Sequence, residues 1–184
     1  MIFNKHFDLE GEHAFLGGSK YHWINYDLDR LADAYTKYQA IQKGTALHDL
    51  AYKCIKLNQK LPKSRKAFNM YVNDAIGYRM EPEQPLFYSI NAFGTVDTIS
   101  FRDKLLRIHD LKTGVSPVSM HQLEVYTSLF CLEYDIDPGD ISIELRIYQF
   151  EEAVVYNPPV EDVIRIMDKI VLFDKEIEKL KLED

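Results

Sequence analysis

The chain has 184 residues, 46% apolar and 28% charged, with eight glycines, seven prolines and a formal net charge of −7. These are the proportions of an ordinary globular domain long enough to bury its own core, and they exclude collagen-like and Pro/Gly-rich disordered architectures. The acidity speaks against a protein that coats nucleic acid through a basic surface, though not against a carboxylate site that stays acidic until a cation fills it. No apolar run approaches the roughly 18 residues that span a bilayer. The opening MIFNKHFDLEGEHAF lacks a basic stretch followed by an apolar core, so the expectation is a cytoplasmic chain with no membrane contact. Cys54 and Cys131 are too far apart for a CxxC motif and too few for an iron–sulfur cluster, so both read as buried free thiols.

In chain order, residues 1–18 show no sustained period, and Ser19 is a candidate cap for the aromatic segment KYHWINYD. Residues 29–42 predict an amphipathic helix with Leu31, Ala34, Tyr35, Tyr38 and Ile41 on one side. Gly44 ends it and Thr45 caps a second helix, whose stripe is Leu47, Leu50, Ala51, Cys54, Ile55 and Leu57. A third helix covers 64–79. Pro82 and Pro85 bracket a turn, and strands follow over 85–90, 93–101 and 104–112, the last two joined by Arg102-Asp103. A helix over 118–134, a strand over 141–150 and a helix over 160–182 complete the order ααα-βββ-α-β-α. The last helix is expected to turn Val163, Ile166, Ile170, Phe173, Ile177 and Leu180 inward. The reading is one domain: a mostly helical part (1–80), a sheet with its helix (81–150) and a C-terminal helix (151–184).

Side chains two apart on a strand share a face, so Asp110 and Lys112 project together as either a surface ion pair or a site. With Arg102-Asp103 as the turn, positions that sum to 205 pair, which sets Asp97 opposite Ile108 and one diagonal step from Asp110. Two acids that can share a cation, with a lysine beside them, suit phosphodiester hydrolysis: magnesium takes carboxylates, water and phosphate oxygens, and the lysine meets the charge that builds on phosphorus. His48, taken alone, reads as a core or edge histidine. Gln122 and Tyr126 are an i, i+4 helix pair that by itself is decoration. Lys60, Lys63, Arg65 and Lys66, with Lys53 and Lys56 on the preceding helix, fit a solvated charged surface as well as a phosphate-backbone contact. Tyr21, Trp23 and Tyr26 fit either core packing or base stacking.

Taken together in order, these segments resemble the RecB-like nucleases of the PD-(D/E)xK superfamily. Gly44-Thr45-Ala46-Leu47-His48 is similar to their GxxxH motif and Gly94-Thr95-Val96-Asp97 to their GxxD motif. Asp110-Leu111-Lys112-Thr113-Gly114 resembles D-[YF]-K-T-G, with Leu111 where an aromatic is usual, and Gln122-Leu123-Glu124-Val125-Tyr126 matches QxxxY. The resemblance implies an α/β fold with a restriction-endonuclease-like core, a mixed central sheet flanked by helices, and an N-terminal helical region. It implies a metal-dependent DNA nuclease, foremost an exonuclease of recombination, repair or phage DNA processing. A structure- or sequence-specific endonuclease and a catalytically silent DNA- or partner-binding module are the alternatives. His48, Asp97, Asp110 and the carbonyl of Leu111 would ligate one or two Mg2+ or Mn2+ ions, and Lys112 would be the catalytic lysine. Gln122 and Tyr126 would position water, phosphate or Lys112 itself, and Glu81 or Glu83 would be an extra acid. With two cysteines there is no iron–sulfur cluster, and with no Walker A motif there is no motor. DNA, a recombinase, helicase or single-strand-binding protein, and a second copy of the chain are the implied partners.

Overall fold

The computed structural model describes residues 14–16, 18–115 and 117–183. The reading of residues 1–13, and the roles considered for the Ser19 and Tyr21 side chains, lie outside what it describes. The chain divides into two compact units, Met1–Thr45 and Ala46–Asp184.

The first unit carries a 3-10 helix, Gly18–Asn25, and the start of α1, which covers Leu28–Lys56. Asp27 caps α1 by accepting the Arg30 N–H at 2.8 Å. Phe15 packs its ring on Tyr35 and Tyr38, with centroids 5.2 and 5.3 Å apart. The break expected at Gly44 does not occur. Gly44 and Thr45 lie inside α1, and the Thr45 hydroxyl bonds back to the Ile41 carbonyl at 3.2 Å. One interior glycine costs a helix about 1 kcal/mol, too little to end it against packing on either side.

The second unit is α/β: a five-stranded mixed sheet flanked by helices. Its strands are β1 (Glu81–Ser89), β2 (Ala92–Arg102), β3 (Leu105–Leu111), β4 (Ser142–Gln149) and β5 (Glu152–Tyr156), in the spatial order β1-β2-β3-β4-β5. Only β3 and β4 run parallel, and α3 (His121–Tyr134) makes the crossover that a parallel pair requires. Alternation along the strands sorts two cores onto opposite faces. Leu106 and Ile108 of β3, with Ile143, Leu145 and Ile147 of β4, pack on Leu123, Leu129 and Phe130 of α3 and on Val163 of α4 (Val160–Glu183). Leu111 and Tyr148 face the other way, into Tyr71, Val72 and Ala75 of α2 (Ala67–Gly77) and Ala51, Cys54 and Ile55 at the end of α1. Both cysteines are buried free thiols, and burial pushes the Cys131 thiol up to about 11.

Several expectations change. Pro82 and Pro85 stand inside β1, not around a turn; β1 is an edge strand, where a residue without an N–H is tolerated. The β2–β3 turn is Asp103-Lys104, at φ 50° and 59°, so Arg102 pairs with Leu105 and paired positions sum to 207. A further strand, β5, follows the two-residue turn Phe150-Glu151, with Phe150 at φ 54°. Neither turn carries the Asn-Gly or Asp-Gly pair that marks such turns in a sequence. On α4 only Val163 is buried, while Phe173, Ile177 and Leu180 are exposed. Among the described residues no helix is long and apolar enough to cross a membrane.

A left-handed backbone costs a residue with a side chain roughly 1–2 kcal/mol. Lys104→Gly is therefore expected to raise unfolding stability by about 1 kcal/mol, read as a higher urea midpoint with unchanged slope. A lower midpoint would mean that the turn is not built on Asp103-Lys104.

Candidate active site

The site forms where the β2–β3 ladder stops. Register places Thr98 across from His109, so Asp97 comes opposite Asp110, directly and not diagonally. There the Asp97 side chain replaces a backbone partner: its Oδ2 accepts the Leu111 N–H at 2.9 Å. On the other side of β2, the pairs Pro82–Thr98 and Gln84–Val96 leave Glu83 facing Asp97. Glu83 is held at φ 52°, and Val96 and Ile99 bury in the same core although three positions apart, a spacing that regular alternation does not give. Such irregularities in a strand re-aim side chains and collect at functional sites.

His48 reaches this point from α1. His48, Ala51 and Ile55 lie on one stripe of that helix, and burial of Ala51 and Ile55 turns His48 inward, with its Nδ1 3.4 Å from Asp97 Oδ2. Ligating atoms of His48, Glu83 and Asp97 all fall within 4.8 Å of one another. Of the two glutamates considered, Glu83 therefore joins the cluster, while Glu81 forms an ion pair with Lys56. Asp110 is not in this group of three. It is 3% exposed and lies against Lys112, whose Nζ is 3.1 Å from Oδ1 and 3.0 Å from Oδ2. Leu111 contributes its amide N–H, through the bond to Asp97.

Lys112 is held from a second side. Its Nζ donates to Gln122 Oε1 at 2.7 Å, and Gln122 Nε2 donates to the Tyr126 hydroxyl at 3.3 Å. The Gln122–Tyr126 pair on α3 thus fixes the lysine. Gly94 makes room for this arrangement, since a Cβ there would lie 2.9 Å from Tyr126 Cε1. Beside Lys112 and Gln122 opens a cavity of about 350 Å3, lined also by Gly114, Ser119, His121 and Gln149.

Burial, above all, raises the Asp97 carboxyl from its ordinary value; the Leu111 N–H and His48 pull it down, and Glu83 adds to the rise. Asp110 is raised by burial and then by the charge of Asp97, with Lys112 opposing. Asp110 is buried, Asp97 half-buried and Glu83 exposed, and acids that repel one another in this way are what a divalent cation neutralises. Two carboxylates and an imidazole are ligands that magnesium and, more readily, manganese accept. The buried Asp110 Oδ2, outside that group of three, makes no hydrogen bond of good geometry. The residues therefore fit such an ion.

Behind the site is a polar layer that inspection of the sequence missed. His109, fully buried, lies 3.3 Å from the Tyr148 hydroxyl, which donates to Asp74 at 2.7 Å; Arg146 reaches Asp74 and Tyr78. Burial, then Arg146 and Arg107, lowers His109 to about 3, so it stays neutral. Tyr71, 2% exposed, sits close enough to Asp97 and Asp110 to feel both charges. Lys53, Lys60, Lys63, Arg65 and Lys66 are exposed and stand outside the cluster. In the first unit Trp23 and Tyr26 are half-buried, Tyr26 beneath the Arg30 guanidinium.

No protein-family model, curated protein or solved structure matches the chain.

Both raised carboxyls hold protons more tightly in the folded chain than in the unfolded one. Their contribution is thus full below the ordinary carboxylate range and is lost as pH rises through the raised values. Above those raised values the two carboxylates are charged and oppose one another. With a chelator present, Asp110→Asn is expected to raise the melting temperature at pH 7, at about 2–4 °C per kcal/mol relieved. Added Mn2+ is expected to raise the wild type more than the variant. A lower melting temperature for Asp110→Asn in chelator would contradict the repulsion.

Proposed function

We propose that this site hydrolyses phosphodiester bonds in DNA with Mg2+ or Mn2+, as a nuclease of the RecB-like, PD-(D/E)xK kind, and foremost from a free end. The observation that carries the reading is Lys112 held between buried Asp110 and Gln122, two residues beyond Asp110, which stands opposite Asp97 of β2. His48, Glu83 and Asp97, with Asp110 beside them, would hold the cation. When bound, it supplies Lewis-acid polarisation of the phosphate and a more acidic attacking water.

The chain's own groups do the rest. The Lys112 ammonium is pinned by two acceptors and keeps donor capacity for a phosphate oxygen, so it meets the negative charge that grows as water adds in line and the leaving oxygen departs. Gln122 and Tyr126 limit the lysine's motion, so its placement is settled before the substrate arrives. The Leu111 N–H keeps one Asp97 oxygen occupied and so orients the other. The cavity beside Lys112 offers room for the chain next to the scissile phosphate. Retention of His48, Asp97, Asp110, Lys112, Gln122 and Tyr126 together favours turnover over a silent binding module.

The test is digestion of end-labelled linear single- and double-stranded DNA beside a closed circle, with Mg2+ or Mn2+. Wild type is expected to degrade linear DNA and spare the circle. Lys112→Ala is expected to lose at least about 100-fold in rate, the scale of one charge-stabilising donor. A cut circle would move the reading to an endonuclease, and undiminished hydrolysis by Lys112→Ala would refute the mechanism.

A further inference from the structure

A second groove lies along the sheet edge. Its volume is about 310 Å3, and its walls come from the end of α2, from β1, from β2 and from α3. Its floor is a run of three rings: Phe101 and Tyr134 flank Phe130, with centroids 5.2 and 5.0 Å apart. The outer two rings are 40% and 50% exposed, the middle one 6%. Such a run offers aromatic faces to something flat.

Two guanidiniums border these rings. Arg79 and Arg102 both line the groove, and Arg102 is tethered by donating to the Arg79 carbonyl at 3.2 Å. Arg107, Arg146 and Arg165 are each paired with an acid, whereas Arg79 and Arg102 form no ion pair among the described residues. In a chain of net charge −7, two uncompensated arginines beside aromatic faces are a local exception to the prevailing sign. Arg79 also occupies the left-handed position (φ 52°) that ends α2, where glycine is the residue of lowest cost. The Glu81 carboxylate on the groove wall is taken up by Lys56.

The groove adjoins the candidate active site through β1. Glu81 and Gln84 line it and flank Glu83 of the acidic cluster. Phosphates on the arginines and bases on the rings are the complement of this surface, and a duplex cannot supply the base faces because they are already stacked. We propose that this groove binds single-stranded nucleic acid, with Arg79 and Arg102 on the phosphates and Phe101 and Tyr134 stacking on bases, next to the metal cluster. The proposal extends the nuclease reading without needing turnover.

The test is binding of a fluorescent oligothymidylate to the full chain in chelator, followed by anisotropy, with a blunt duplex as comparison. Phe101→Ala and Tyr134→Ala are each expected to weaken strand binding roughly 5- to 150-fold, the range for loss of one stacked base, and to leave duplex binding unchanged. Tyr134→Phe is expected to restore it. Arg79→Gln and Arg102→Gln are each expected to lower the slope of log affinity against log salt by about 0.7, the value for one lost contact to a single strand. Unchanged strand affinity in all four variants, equal losses for strand and duplex, or no strand binding by wild type would overturn the groove. The two readings can fail separately. If wild type digests DNA while the groove variants bind normally, the groove is wrong and the nuclease stands; if nothing is digested with either metal while the variants lose affinity, the reverse holds. A wild type that binds neither nucleic acid but captures a peptide on the same rings would assign the groove to a protein partner and overturn the proposal.

Discussion

The site depends on one hydrogen bond, from the Leu111 amide to the Asp97 carboxylate. The β2–β3 ladder ends one pair earlier, at Thr98 and His109, and a backbone N–H beyond that point has to be satisfied by something. A side chain does so here, and the two strands can separate without stranding a buried donor. The separation gives Asp97 room to face His48 and Glu83, and it puts Asp110 and Lys112 at the mouth of the gap. An isosteric amide could accept the same bond but would not carry the charge, so Asp97 is both a structural closure and a candidate ligand.

Around that bond the protein gathers charge at a cost in stability. Asp97 and Asp110 are both raised by burial and by neighbouring acids, and Glu83 is held in a strained backbone conformation. Arrangements of this kind persist only where their surroundings hold them. The restraint comes from both faces of the sheet. On one, Gly94 lets Tyr126 come close, and Tyr126 bonds the glutamine that fixes Lys112. On the other, neutral His109, in contact with Tyr148 through Nδ1, and the hydrogen-bonded Tyr148–Asp74–Arg146 chain fill the space behind β3 and β4. Supports on both faces of the sheet leave the site little freedom to relax.

Much of this was legible in the residues, and the failures have physical reasons. Asp110 and Lys112 fall on one side by strand alternation alone, and the helices and most strands follow from period and punctuation. The hairpin turns are different: Asp103, Lys104 and Phe150 adopt left-handed backbone without glycine, so composition gives no sign of them. Moving the β2–β3 turn by one residue changes the pairing sum from 205 to 207, which keeps every face but turns a diagonal Asp97–Asp110 relation into a direct one. The choice between Glu81 and Glu83 rested on the register of β1, which two prolines disguised as a turn. Gly44 was misread because a helix interior tolerates a single glycine when packing supplies the difference. The aromatic run Phe101–Phe130–Tyr134 joins a strand to a helix, and no local pattern announces such a meeting.

The measurement that bears most directly on the central claim is the anomalous difference density of a crystal grown or soaked with Mn2+. A peak is expected within coordination distance of His48, Glu83 and Asp97, with an oxygen of Asp110 at its edge. No peak at saturating Mn2+, or a peak held by other residues while this cluster keeps its metal-free contacts, would contradict it.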